Sequence, residues 1–277
     1  MNIYYENHML ERFNLNQNVF RLINVDDLFN IEYETNTSKG FITSITRKFK
    51  SIELEFDILN KNGIDWKQTY TSLMNVIEKD IAQGYYGRLW VNGYYIDCNV
   101  DVTKLKKVNL KNIYTNGTLR IVSNFLWKKK YNTSFKLGGA QPSNVCPKQY
   151  PYRYPYHYLK RVGKGIINNP SFNDSFFEIH IFGPVNNPSI TVNNNEYLVN
   201  TNIAENEILT IDYSSEETRT IVKRDINNTY SINCFNDRSK DGMFFKKIKG
   251  GVSEVLWDGT FSFEINLFEE RNHPRWI

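Results

Sequence analysis

The second half of the chain repeats one pattern: a short alternating apolar run, a turn signal, and another run. The stretch EIHIFGPVNNPSITV (178–192) shows it best. Glu178, His180 and Phe182 alternate with Ile179 and Ile181, which is strand spacing. Gly183-Pro184 breaks the run, and Asn186-Asn187-Pro188 turns the chain before Ile190 and Val192 resume the alternation. Similar runs are predicted at 176–182, 189–193, 197–201, 207–213, 218–224, 229–232, 251–257 and 260–268. Asn193-Asn194-Asn195, Asn227-Asn228 and Asp258-Gly259 supply turns between them. Short strands that recur with turn signals between them are the pattern of a β-sandwich.

The first half adds strands and one helix. Candidate strands fall at 19–23, 28–33 and 41–49. At 52–59, Ile52, Leu54, Phe56 and Ile58 alternate with Glu53, Glu55 and Asp57, giving an apolar face and an acidic, solvated one. Residues 66–83 carry Tyr70, Leu73, Met74, Ile77 and Ile81 at helical spacing, a stripe that predicts core packing. Asp65 is the predicted N-cap, Gln68 its capping-box partner, and Gly84 the left-handed stop. Asn92-Gly93, set between aromatic runs, predicts a two-residue hairpin. Asn116-Gly117 predicts a second one, between 108–114 and 118–127. The fold class is therefore mainly β, with two β-sandwich-type domains and a single amphipathic helix in the first. The boundaries drawn are 1–134, a linker or arm at 135–175 rich in Tyr and Pro, and 176–277.

Composition narrows the function. Aromatics reach 15%, which suits pleated, half-buried surfaces. The 34 basic and 30 acidic residues leave a net charge of only +4, so no nucleic-acid partner is expected. No apolar run approaches the ~20 residues of a membrane span, so no membrane insertion is expected. The first residues show no basic segment followed by an apolar core, so no secretion signal is expected. Cys98, Cys146 and Cys234 are odd in number and far apart, which predicts neither a disulfide framework nor a zinc site.

Little in the sequence is set up for catalysis. His8, His157, His180 and His273 lie in separate segments without metal-ligand spacing. Glu178 and His180 share a strand face and could form an acid–base pair, but a solvated sheet face is the better expectation. Gly163-Lys164-Gly165 lacks the other residues of a phosphate loop. No catalytic residue, cofactor or metal is assigned, and the protein is expected not to be an enzyme.

The C-terminal half resembles a known family. FEIHIFGPVNNPSITVNNNEYLV, ILTIDYSSEETRTIV, FFKKIKGG and LWDGTFSFEINLFEERNHPRW follow the order and content of the siphophage distal tail protein (Dit) family. The matching pieces are Gly183 to Ile190, Leu209 to Asp212, Thr220-Ile221, Phe244 to Gly251, Trp257 to Gly259 and Phe268 to Trp276. Lys249-Gly250 departs from the family's frequent Pro-Gly. The first half matches through the order of its elements.

The resemblance implies a structural hub of a phage tail tip: a hexameric ring of N-terminal domains, with a galectin-like C-terminal domain projecting from it. It implies a homohexamer contacting the tail tube protein on one side and the tail-associated hub protein or endopeptidase on the other. Receptor-binding proteins are further expected partners. The implied location is the virion tail tip, after assembly in the bacterial host cytoplasm. Candidate partner contacts are Tyr94, Tyr95, Lys104, Lys106 and Lys107 around the first-half hairpins, and Tyr152, Tyr154 and Tyr156 in the Tyr/Pro arm. The alternative is a carbohydrate-binding or adhesin module using that tyrosine platform. A glycan-degrading enzyme with carboxylates on the sandwich face is a third, weaker expectation.

Overall fold

A computed structural model describes residues 1–17, 19–30, 33–47, 50–60, 65–106, 114–138 and 163–275. The chain forms two compact units. The first holds Met1–Lys129 with Glu270–Ile277, and the second holds Lys130–Glu269.

The first unit contains β1 (Ile3–Glu6), β2 (Arg12–Asn14), β3 (Phe20–Asn24), β4 (Tyr33–Ser38), β5 (Phe41–Arg47), β6 (Lys50–Leu59), α1 (Trp66–Gln83), β7 (Gly87–Val91), β8 (Tyr94–Leu105), β9 (Tyr114–Ser123) and the start of β10 (Trp127–Phe135). Two antiparallel layers share the long strand β8. One runs β2-β1-β7-β8-β10 and the other β3-β6-β9-β8. The register of β8 against β9 shifts between Val100 and Val102, a bulge that bends the strand and lets it serve both layers. The alternation in β6 is as predicted. Ile52, Leu54, Phe56 and Ile58 are fully buried, each worth about 1.5–3 kcal/mol.

The helix has the predicted bounds and both predicted ends. The Asp65 side chain accepts from the Lys67 N–H, and Gly84 closes the last turn at φ 70°. The phase of the buried stripe differs from the expectation. Trp66, Thr69, Leu73, Ile77 and Asp80 face inward, whereas Ile81 is 56% exposed. The cause lies in β1 and the loop after it. Tyr5 and His8 hold Asp80 by hydrogen bonds, and Asn7 Nδ2 donates to the Val76 carbonyl. These contacts draw the 76/80 side of the helix inward.

Two hairpin signals had opposite outcomes. Asn92 (φ 49°) and Gly93 (φ 81°) make the two-residue turn between β7 and β8. Asn116-Gly117 makes no turn. Both lie inside β9, with Gly117 paired to Phe56 on β6 and to Leu105 on β8. The glycine serves close packing here: a Cβ would stand 2.4 Å from the Lys104 carbonyl oxygen and 2.6 Å from the Phe56 ring.

The second unit contains the rest of β10, then β11 (Gly163–Asn169), β12 (Phe176–Phe182), β13 (Val185–Asn186), β14 (Ser189–Val192), β15 (Asn195–Leu198), β16 (Asn202–Ile203), β17 (Glu207–Tyr213), β18 (Thr220–Asp225), β19 (Ser231–Asn233), β20 (Gly251–Trp257) and most of β21 (Ser262–Arg271). One layer runs β19-β18-β17-β12-β21-β10 and the other β11-β20-β14-β15. Alternate residues of both meet in one core. Trp257 packs edge-on to Phe263 at 5.2 Å, and Phe177 packs edge-on to Tyr197 at 5.0 Å. The predicted turns at 193–195, 227–228 and 258–259 all contain a residue at positive φ. Residues 163–169 fall in the stretch expected to be an irregular arm. They form β11 instead, paired along their whole length with β20. Glycines 163 and 165 look like linker residues but lie under the Trp257 and Phe135 rings.

Candidate functional site

The most finished polar arrangement lies on the outer face of the second unit. In β12, Glu178 and His180 point away from the core that Ile179 and Ile181 enter. Glu178 Oε2 lies 3.2 Å from His180 Nε2 and accepts from Lys130 Nζ at 2.8 Å and Asn266 Nδ2 at 3.2 Å. His180 Nδ1 lies 3.1 Å from Thr210 Oγ1. Asn132 Nδ2 extends the network to Asn266 Oδ1 and to Glu264. Burial pushes the Glu178 carboxyl up, but His180 and Lys130 outweigh it and hold it down at about 2. The carboxyl is thus an anion near neutral pH and carries no proton to donate there. The arrangement fits a hydrogen-bonded, partly covered sheet face. Among the described residues, no group of three or more His, Cys, Asp or Glu could hold a metal ion.

An aromatic and cationic ladder crosses the first unit. Arg12 lies 5.0 Å over the Tyr4 ring, Tyr4 stacks on Trp90 at 5.6 Å, and Trp90 meets Tyr95 at 4.9 Å. Arg88 caps Tyr95 at 4.9 Å, and Trp90 Nε1 donates to Glu6. The strand registers Tyr4↔Trp90 and Trp90↔Tyr95 place these rings side by side on one half-exposed face. Trp, Tyr and Arg are the residues that anchor protein interfaces.

The structure divides the predicted contact residues. Tyr95 belongs to this ladder. Tyr94, its neighbour, does not reach the surface. It is fully buried, because successive strand residues point to opposite faces and the two-residue turn fixes Tyr94 inward. Lys104 is exposed on β8, and Lys106 pairs with Glu55. Lys107 and the arm tyrosines Tyr152, Tyr154 and Tyr156 lie outside the described residues.

Two apolar surfaces escaped the sequence reasoning. The β4–β5 hairpin exposes Phe41, Ile42 and Ile45, and among the described residues its strands pair only with each other. Met9, Leu10, Ile81 and Tyr85 are exposed where the loop after β1 meets the C-terminal end of α1. His8 fastens that loop: its Nδ1 is 2.6 Å from Asp80 Oδ1, its Nε2 is 2.9 Å from Gln83 Oε1, and its ring stacks on Tyr85 at 4.6 Å. The adjacent apolar pair Phe41-Ile42, which breaks strand alternation, was the available signal for the first surface. The second is created only when two distant segments meet.

No family model matches the chain, and no curated protein does. Solved structures do match. A chain of the phage P2 baseplate in its activated conformation with calcium aligns at TM-score 0.62 and 14% identity, covering 99% of this chain and 100% of that one. A chain of the same baseplate with strontium aligns at 0.60 and 15% identity, covering 98% and 99%. The Dit protein of phage SPP1, described as a paradigm of hub adsorption apparatus in phages infecting Gram-positive bacteria, aligns at 0.56 and 8% identity, covering 97% and 99%. The chain has the Dit fold. Both units fall within that likeness, so the Dit fold accounts for the helix-bearing first half as well as the motif-bearing second half.

Proposed function

We propose that this protein is a structural hub of a phage tail tip, a distal tail protein whose copies close into a hexameric ring. The ring joins the tail tube to the tail-associated hub or endopeptidase protein, and the second unit, galectin-like in fold, carries receptor-binding proteins. The role is non-catalytic, and the protein resides in the virion tail after assembly in the host cytoplasm. The observation that carries this is the end-to-end structural likeness to SPP1 Dit and to P2 baseplate chains, which spans at least 97% of both chains in each case. The ordered C-terminal motifs support it independently, because they come from residue identity and not from shape. The geometry also suits the role. The first unit shows aromatic and apolar surface of the kind assemblies bury.

Immunogold electron microscopy of tails from cells that carry this gene tests the placement. Label confined to one end of the tail is expected. Label along the whole tube, or on no tail particle, would contradict it.

A further inference from the structure

We infer that the first unit carries both halves of a head-to-tail contact between copies of this chain. The β4–β5 hairpin of one copy docks on the Met9–Leu10–Ile81–Tyr85 patch of the next. The inference rests on the ring proposed above and assigns its contact surfaces.

Neither patch is explained by folding. The β4–β5 hairpin is a two-stranded sheet of its own, and such a hairpin is marginally stable alone in water. Its register shifts between Asn36 and Thr37, and Thr43 Oγ1 donates to the Asn36 carbonyl across the irregularity. Beside this bulge both Phe41 and Ile42 are exposed, Phe41 to 77%. At the other patch, Leu10 has a φ of 64° and is 70% exposed. A branched apolar residue in the left-handed region is disfavoured, and its exposure returns nothing to the fold. Yet the loop is firmly built. Asn7 Oδ1 accepts the N–H groups of Met9 and Glu11, the Leu10 N–H donates to the Asn7 carbonyl, and the His8 N–H donates to Asp80. A strained loop that rigidly displays apolar side chains is a pre-organised contact.

The area fits an interface between copies. From their exposures, Phe41, Ile42 and Ile45 on one side and Met9, Leu10, Ile81 and Tyr85 on the other present roughly 800 Å² of apolar surface, split about evenly. At the apolar share of about 60% usual for interfaces, that corresponds to roughly 1,300 Å² of total contact. This lies within the ~1,200–2,000 Å² that specific complexes bury. Two different patches of matched size on one subunit are what a heterologous interface requires, and such an interface closes into a ring when the rotation permits. A partner of another kind would need only one of them.

Mixing two full-length variants tests this. Phe41→Asp with Ile45→Asp disables the hairpin. Leu10→Asp with Ile81→Asp disables the patch. Wild-type chain is expected to assemble, and each variant alone is expected to remain monomeric at concentrations at least tenfold above that needed by wild type. A 1:1 mixture is expected to give heterodimers and nothing larger, because only one productive contact survives. Leu10→Asn, which suits the positive φ, guards against misfolding: it should retain the wild-type melting temperature while weakening assembly several-fold. Rings formed by both variants would overturn the contact while leaving the hub role intact. Variants that stay monomeric alone and give no heterodimer on mixing would overturn it too. Wild-type chain that stays monomeric at every concentration would contradict the ring itself.

Discussion

Single side chains decide how the first unit holds together, and Asp80 is the clearest case. It is 1% exposed, and it accepts from Tyr5 Oη at 2.6 Å and from the His8 N–H at 2.9 Å. A carboxylate near a helix C-terminus is opposed by the helix dipole, so these donors must offset both burial and the dipole. Burial and Asp80 together push the Tyr5 phenol well above its ordinary range, so Tyr5 remains a donor at any physiological pH. Asp80→Ala should lower unfolding free energy by about 3 kcal/mol in urea titrations, because buried donors lose their acceptor. A loss under ~1 kcal/mol would contradict the network. Glu178 gives a pH-dependent counterpart in the second unit. Its folded carboxyl is held at about 2, below the ordinary value of about 4.3 for an unfolded chain. The stabilisation is therefore present above about pH 4.3 and is lost as pH falls toward 2. Melting temperatures of wild type should fall more steeply across that window than those of Glu178→Gln; parallel curves would count against the pairing.

At the scale of elements, the helix separates what spacing specifies from what contacts specify. Ile77→Ala should cost about 3 kcal/mol and Ile81→Ala no more than about 0.5 kcal/mol, measured by denaturant midpoints. Equal losses would restore the stripe expected from sequence. The bounds of α1 were legible because Asp65 and Gly84 are local signals. The rotation of its buried face was not, because Tyr5 and His8 lie far away in the chain. The Asn-Gly dipeptides teach the same lesson. Asn92-Gly93 turns because the flanking strands pair with each other, whereas Asn116-Gly117 is claimed by β6 and β8 on either side. Gly117→Ala should destabilise the first unit by about 1–3 kcal/mol through its clash with Phe56 and the Lys104 carbonyl. A neutral result would mean that the β6–β9–β8 layer can yield there. In the second half, strands 176–182, 207–213 and 251–257 were legible to the residue, because alternation and turn signals agree there. Tyr94 and Tyr95 were both expected at a contact surface, but strand parity sends neighbours to opposite faces, and only Tyr95 lies on the half-exposed one.

For the whole molecule, the sequence motifs and the structural likeness meet from opposite directions. The motifs cover the second half, and the likeness to Dit and baseplate chains covers both. The apolar hairpin and the helix-end patch could not be foreseen from the sequence, since surface of this kind is defined only by what folding leaves uncovered. Their exposure gives a physical reason for assembly. The most direct test is negative-stain electron microscopy and native mass spectrometry of the purified full chain at increasing concentration. Six-fold rings with a mass six times the 32.7 kDa chain are expected. A particle of any other stoichiometry, or monomer alone at every concentration and on isolated tails, would contradict it.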